Sequence, residues 1–230
     1  MLQGLTDALF PPRCVGCGTR GMWLCATCRA TIAASAPHSQ CPHGVAVTYC
    51  ARCSPDWTDL SGVRVVGPYE PPLKSAIWAL KFTGKRGCAA ALGQLLAQQW
   101  SRAPAIPVDA IVAVPPSAAG QRQRGYNQAE LLARACATSL ALPLWPRALG
   151  RTRAADPQLG KTAIERHQNA QGLFAATPRV AAQMVGRRIL VVDDVLTTGA
   201  TLNAAATALR AAGAVEVWGV VLARPRTHER

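Results

Sequence analysis

Two groups of residues in this sequence have types and spacing suited to chemistry. The first is a set of cysteines. Seven of the nine fall between Cys14 and Cys53, and six form C-x-x-C pairs: Cys14/Cys17, Cys25/Cys28 and Cys50/Cys53. A C-x-x-C turn aims two thiolates at one point, so two turns supply the four tetrahedral ligands of a structural zinc. Cys14, Cys17, Cys25 and Cys28 make one complete set by proximity. Cys50 and Cys53 need two partners, and Cys41 is the first. The fourth position reads C-P-H-G, which offers His43, with His38 or an incomplete site as alternatives. Pairing Cys14/Cys17 with Cys50/Cys53 is also compatible with the spacing. Disulfides are disfavoured, because residues 1–12 lack a basic segment and place Asp7 inside a short apolar stretch. A cytoplasmic, reducing setting favours metal. A redox role would want a βαβ context, which these pairs lack. Cys88 and Cys136 lie in alanine-rich stretches and read as buried core.

The second group is ILVVDDVLTTGAT, Ile189 to Thr201. A buried strand ends in two adjacent carboxylates, Asp193 and Asp194, and a turn of hydroxyls and glycine opens into a helix. Helix N-termini leave N–H groups unpaired and partly positive, which makes a phosphate cradle. Thr197, Thr198 and Thr201 add hydroxyls, and Gly199 lets the backbone close around an anion. Two acids beside a phosphate loop make sense if they hold ribose hydroxyls or a bridging magnesium. Helix capping alone needs one Asp and one Thr. G-x-G-x-x-G is absent and no Walker lysine follows the glycine, which disfavours a Rossmann turn and a P-loop.

The elements that must position these residues follow from periodicity. Apolar runs at 109–114, 189–192 and 215–222 read as buried strands. Residues 73–82, 89–100, 127–142 and 200–212 read as helices, the third burying Ala129, Leu131, Leu132, Ala135 and Leu140. Strand–helix alternation with continuous apolar strands predicts an α/β domain, a parallel sheet covered on both faces. Pro115-Pro116 leads into a polar loop, and the polar stretch 151–161 reads as mobile. No run approaches the roughly 18 apolar residues of a membrane span. The composition divides the chain into a cysteine-rich module, 1–61, and a domain, 62–230. The formal charge is +13, from 25 Lys+Arg against 12 Asp+Glu. The first 61 residues carry four basic and three acidic residues, so the excess lies in the domain. That excess suits a polyanionic partner, although arginine-rich composition alone also produces it. The six tryptophans read as core more readily than as base-stacking residues, with Trp23 and Trp57 the two to examine.

The 189–201 run resembles the phosphoribosyl pyrophosphate (PRPP) signature of type I phosphoribosyltransferases. VPPSAAGQRQRGYNQAELLAR, Val114 to Arg134, resembles the corresponding segment of the ComF family, which includes competence protein F and relatives named for gluconate utilisation. The family arginines fall in Gln121-Arg122-Gln123-Arg124, the first of them displaced or absent. Lys81-Phe82, Arg166 with Asn169, Gly172 with Phe174, and F-P-P-x-C-x-x-C at Phe10–Cys17 match in order. Tyr126 stands where Phe is commoner, and Gly44 where the last ribbon cysteine is expected.

This resemblance implies a type I phosphoribosyltransferase fold with an N-terminal zinc ribbon. Asp193 and Asp194 would hold the ribose hydroxyls with Mg²⁺, Asp194 also serving as base toward the acceptor. Leu196 (through its backbone), Thr197, Thr198, Gly199, Ala200 and Thr201 would hold the 5′-phosphate. Arg122 and Arg124 would meet pyrophosphate, since guanidinium forks match phosphate oxygens. Arg151, Arg153 and Lys161 would lie on a flexible loop closing over the substrate. The implied activity is phosphoribosyl transfer from PRPP to an unidentified acceptor, such as a nucleobase. The alternative is cytoplasmic handling of imported single-stranded DNA with competence proteins, PRPP binding serving as a sensor or accessory activity.

Overall fold

A computed structural model describes residues 11–37, 41–45, 47–102, 104–152 and 172–226. After a short helix α1 (Ala26–Ala34) and strand β1 (Tyr49–Cys50) come β2 (Gly62–Pro68), α2 (Leu73–Phe82) and α3 (Cys88–Trp100). There follow β3 (Ala110–Ala113), α4 (Ala118–Arg124), α5 (Gln128–Leu140), β4 (Leu149–Arg151) and β5 (Phe174–Ala176). The described chain ends with α6 (Pro178–Met184), β6 (Arg188–Val195), α7 (Ala200–Ala211) and β7 (Glu216–Arg224). Five strands form one sheet in the order β1-β2-β7-β6-β3, parallel throughout except for β1, which runs antiparallel to β2. β4 and β5 form a separate antiparallel ladder.

The expected α/β sheet covered on both faces is present. Central strands β6 and β7 are almost continuously apolar because both faces are buried. One face packs on α2, α3 and α5, with Ile77, Leu92, Leu96 and Leu132 inaccessible or nearly so. The other packs on α6, α7 and the β4–β5 ladder through Leu202, Leu209, Met184 and Phe174. Helices α3 and α5 touch at Gly93, where a Cβ would stand 2.4 Å from that of Ala135 and 2.8 Å from the Leu132 carbonyl. That approach rotates α5 relative to the expected face. Ala129 and Leu132 are buried as expected, but Ala133, Cys136 and Ala137 are buried in place of Leu131, Ala135 and Leu140, which are half-buried.

Three local expectations need correction. The loop after Pro116 contains α4, because Ser117 accepts the Gly120 amide at 3.0 Å as an N-cap and Gly125, at φ +69°, ends the helix. Arg151, expected on a mobile loop, lies in β4 with its guanidinium 5.3 Å over the Phe174 ring. Strand β2 is not foreseen, because Arg64 interrupts its apolar run. The structure buries Arg64 completely, its guanidinium donating to the carbonyls of Trp100, Arg102 (2.7 Å) and Pro104 (2.6 Å) beyond the end of α3. A cation suits a helix C-terminus, where carbonyls lack intrahelical partners.

The cysteine-rich segment is built into this core. Cys14, Leu24, Cys25, Cys28 and Ile32 join the cluster around α2 and α3, and β1 pairs Tyr49 with Val63 at the sheet edge. Among the described residues no helix is long and apolar enough to cross a membrane.

Candidate functional site

Because β3 and β6 run parallel, their C-terminal ends open on the same side, and the acid pair follows directly from the apolar core of β6. The two acids are in different states. Asp194 is buried, 4% exposed, with both oxygens engaged. Lys81 at the end of α2 meets Oδ1 at 2.8 Å, and Gln128 Nε2 donates to Oδ2 at 3.0 Å. Asp193 is half-buried, and its Oδ1 accepts the Asp194 amide at 2.8 Å. Burial and the adjacent Asp194 charge push the Asp193 carboxyl up to about 7. Asp194, named as base by the family resemblance, is thus held by Lys81 and Gln128, whereas Asp193 carries the raised carboxyl.

Beyond the acids the chain turns through Leu196 to Gly199 into α7. Leu196 is buried and its amide donates to the Ala223 carbonyl at 2.8 Å, so it fixes the turn by its backbone. Thr197 and Thr198 are exposed, and Ala200 and Thr201 half-exposed, around the first turn of the helix. Gly199 adopts φ +85°, and a Cβ there would meet the Trp57 ring at 2.3 Å. The loop thus sets exposed threonines at the N-terminus of α7 above a packed floor, with the Ala200 amide donating to the Thr198 hydroxyl at 3.3 Å.

The segment Tyr126-Asn127-Gln128 binds these parts together. Tyr126 donates its hydroxyl to the Leu80 carbonyl and lies under the Arg86 guanidinium, 4.3 Å away. Asn127 caps α5 by accepting the Ala129 amide at 3.0 Å and donates to the Val114 carbonyl at 3.1 Å. Gln128 reaches Asp194. Three consecutive side chains therefore anchor α2, the end of β3 and the end of β6.

Of the two expected pyrophosphate partners, Arg122 is exposed on α4. Arg124 is half-buried, with its guanidinium folded against Gly120 and its Nε without a hydrogen-bond partner among the described residues. Arg124 shares a hollow of about 150 Å³ with Lys81, Phe82 and Tyr126. A larger cleft of about 400 Å³ lies beside it, between Pro115-Pro116, Gln121, Glu130, Arg147 and Leu149. Arg151 stands on β4; Arg153, Lys161, Arg166, Asn169, His38 and Phe10 lie outside the described residues.

Sequence reasoning missed the roles of Lys81, Gln128 and Trp57. Lys81 and Gln128 stood inside family-like motifs, but their partner is distant in sequence. Trp57 is 3% exposed and packs against Gly199, and Trp23 is half-buried against Gly87, so neither stands free for base stacking. Among the described tryptophans it is Trp78 that is markedly exposed, at 52%.

The cysteines separate into two groups: Cys14, Cys17, Cys25 and Cys28, and Cys41, His43, Cys50 and Cys53. Within each, the ligand atoms lie within 4.8 Å of one another. The alternating pairing is thereby set aside, and His43 stands at the fourth corner of the second group. Thiolates about 2.3 Å from a tetrahedral zinc stand about 3.8 Å apart. The Cys17–Cys25 and Cys50–Cys53 sulfurs are 3.6 and 3.8 Å apart, and His43 Nδ1 lies 3.5 and 3.4 Å from Cys50 and Cys53. Burial raises the Cys14 thiol, but the amides of Cys25, Cys17 and Gly16 outweigh it and bring the group down to about 6, a thiolate at neutral pH. These donors fit zinc.

The family model for the phosphoribosyl transferase domain matches residues 129–230. The DNA utilization protein YhgH of Escherichia coli K12 is 34% identical over 214 residues, covering 86% of this chain and 90% of the relative. Competence protein F of Haemophilus influenzae is 31% identical over 180 residues, 76% of this chain and 77% of the relative. Similar solved structures include the glutamine PRPP amidotransferase of B. subtilis, with TM-score 0.41 and 24% identity, covering 59% of this chain and 26% of that one. Another is the adenine phosphoribosyltransferase of Trypanosoma brucei, with TM-score 0.40 and 13% identity, covering 86% and 78%. The family-model match and the parallel sheet together give the type I phosphoribosyltransferase fold, with cysteine clusters at its N-terminal end. Sharing a third of its residues with these relatives over most of their length, the chain belongs to the ComF family.

Proposed function

We propose that this protein binds PRPP at the C-terminal ends of β3 and β6 and transfers its phosphoribosyl group to an acceptor, releasing pyrophosphate. The observation that carries the reading is the pairing of a half-open carboxylate with an anion cradle. Asp193, half-buried near the end of β6, directly precedes the turn that carries Thr197, Thr198, Gly199, Ala200 and Thr201 into α7. In this reading the loop takes the 5′-phosphate through N–H groups and hydroxyls, and Asp193 takes the ribose hydroxyls. Lys81 pairs with Asp194, and Gln128 fixes its rotamer. Arg124, whose Nε lacks a partner among the described residues, and the exposed Arg122 are assigned to the pyrophosphate. The bond from ribose C1 to pyrophosphate oxygen breaks, and the oxygen keeps the electron pair. An acceptor nitrogen forms the new bond to C1 and gives its proton to Asp193.

Magnesium bound with the diphosphate would neutralise charge building on the leaving group. Asp193 fits that ion better than Asp194, whose oxygens are already engaged. The cleft lined by Glu130, Arg147 and Leu149 is assigned to the acceptor, a nucleobase being the class its mixed lining suits. The two cysteine groups are assigned one structural zinc each, in residues 1–61, and the transferase chemistry to residues 62–230. The setting is assigned to the cytoplasm. The deciding experiment is calorimetric titration of PRPP with Mg²⁺ into the wild type and an Asp193→Asn/Asp194→Asn variant. Binding by the wild type and none by the variant is expected. A folded wild type that binds no PRPP would overturn the reading, and pyrophosphate release with a panel of bases separates an enzyme from a sensor.

A second reading is the handling of single-stranded DNA. It is supported by the basic excess in residues 62–230 and by the names of relatives concerned with DNA utilization and competence.

A further inference from the structure

Helix α2 has an outward face that the PRPP site does not use. Its buried side carries Leu73, Ala76, Ile77, Ala79 and Leu80. On the opposite side Trp78 and Phe82 stand one turn apart, each 52% exposed, with ring centroids 5.9 Å apart and planes inclined at 46°. The other large apolar side chains exposed among the described residues are aliphatic: Met22, Val185 and Val215. Two adjacent exposed aromatics form a patch of the kind that marks an interaction surface.

The charge around the patch has one sign. Residues 71–108 contain no Asp or Glu, and they carry Lys74, Lys81, Lys85, Arg86 and Arg102. In a chain with 21 arginines and four lysines, three of those lysines fall on α2 or just beyond it. Lys74 and Lys85 border a groove of about 380 Å³ whose wall is Trp78, with Val15 and Thr83 also lining it. On the other side, Phe82 borders the hollow that holds Lys81 and Arg124. The flanking acids are each in an ion pair, Glu70 with Arg226 at 2.9 Å and Asp194 with Lys81 at 2.8 Å.

We propose that the outer face of α2 is a docking platform for single-stranded polynucleotide, with bases stacking on Trp78 and Phe82 and phosphates meeting Lys74, Lys85 and Arg86. Flat apolar faces and regularly spaced anions occur together in an unpaired strand. A duplex hides its base faces, and an acidic peptide offers charge without them. The proposal rests on the DNA reading above and gives it a location. Phe82 lies next to the hollow that contains Lys81, so the platform adjoins the proposed sugar site.

The test measures binding of a fluorescein-labelled 20-mer of thymidylate to the full-length, metal-replete protein across a range of salt concentrations. Trp78→Ala/Phe82→Ala should weaken binding about tenfold or more while leaving the salt slope unchanged, because stacking releases no counterions. Lys74→Ala/Lys85→Ala should instead lower the slope by about 1 to 1.5. Trp78→Phe keeps a ring and should retain most of the affinity, which separates stacking from misfolding. An abasic 20-mer should bind the wild type and the aromatic variant equally, and PRPP titration should be unaffected by Trp78→Ala. Strong wild-type binding that the aromatic variant matches would overturn the platform and leave the DNA reading standing. Absence of wild-type binding at low salt would remove both. A variant that loses phosphatidylglycerol vesicles but keeps the oligonucleotide would assign the face to a membrane surface and overturn the proposal.

Discussion

The indole N–H of Trp57 donates to the carbonyl of Thr198 at 3.1 Å, and its ring fills the space that a side chain at residue 199 would need. Trp57 follows Cys53 by four residues, so the second cysteine group and the turn before α7 share one short connection. The adjoining backbone strengthens it. The amides of Asp59 and Leu60 donate to Asn203 Oδ1 at 3.2 and 3.3 Å, and Thr207 donates to Asp59 Oδ2 at 2.7 Å. The cysteine-rich segment therefore floors the turn before α7, and Gly199 is required there both by its positive φ and by contact with the indole.

Gly199→Ala should be costly on both counts. A left-handed Ala costs about 1–2 kcal/mol and overpacking adds about 1–3 kcal/mol, so a loss of about 2–5 kcal/mol is expected in urea unfolding. Trp57→Phe keeps most of the packing and loses the hydrogen bond, for about 1 kcal/mol. A Gly199→Ala variant as stable as the wild type would contradict this packing.

The same connection predicts that metal and PRPP affinity are coupled. Elemental analysis should find two zinc ions per chain, and His43→Ala should reduce the number toward one. Stripping the second group should weaken PRPP binding as well, because Trp57 then loses its anchor. Unchanged PRPP affinity in a chain carrying only the Cys14–Cys28 zinc would show that the floor stands without its metal.

Asp193 gives a pH signature. Its carboxyl is raised from 3.8 to about 7, so between those values the folded state holds a proton that the unfolded state has released. Its stabilising contribution is present below pH 4 and is lost as pH rises toward 7. Asp193→Asn should therefore be more stable than the wild type at pH 8, on the order of 1–3 kcal/mol, and should flatten this slope. Urea unfolding at pH 5 and pH 8 measures both effects. A variant less stable than the wild type at pH 8 would mean that the carboxylate is stabilised where it stands.

Three of the sheet's five strands, β3, β6 and β7, were legible because they are buried on both faces and spell unbroken apolar runs, as at 189–192. The acid pair and phosphate loop were legible because their parts are contiguous in sequence. What could not be read were the couplings between distant segments. Arg64 looks like a break in a strand until the carbonyls beyond α3 are seen around it. Gln128 looks like the first polar residue of a helix until it meets Asp194, 66 residues away. Nothing in local composition distinguishes buried Trp57 from exposed Trp78; only the packing of the sheet and α2 does so.

Lys81 and Asp194 offer the sharpest test of how the acid pair is held. With Asp194 almost inaccessible, removing its cation leaves a buried carboxylate with only Gln128 as a partner. Lys81→Met should lower stability by about 3–5 kcal/mol at neutral pH, because an unpaired buried charge costs far more than a missing surface ion pair. Adding Asp194→Asn removes the charge and should recover much of the loss, so the double variant should be more stable than Lys81→Met alone. Strictly additive losses in urea unfolding would show that the 2.8 Å pair carries no mutual stabilisation.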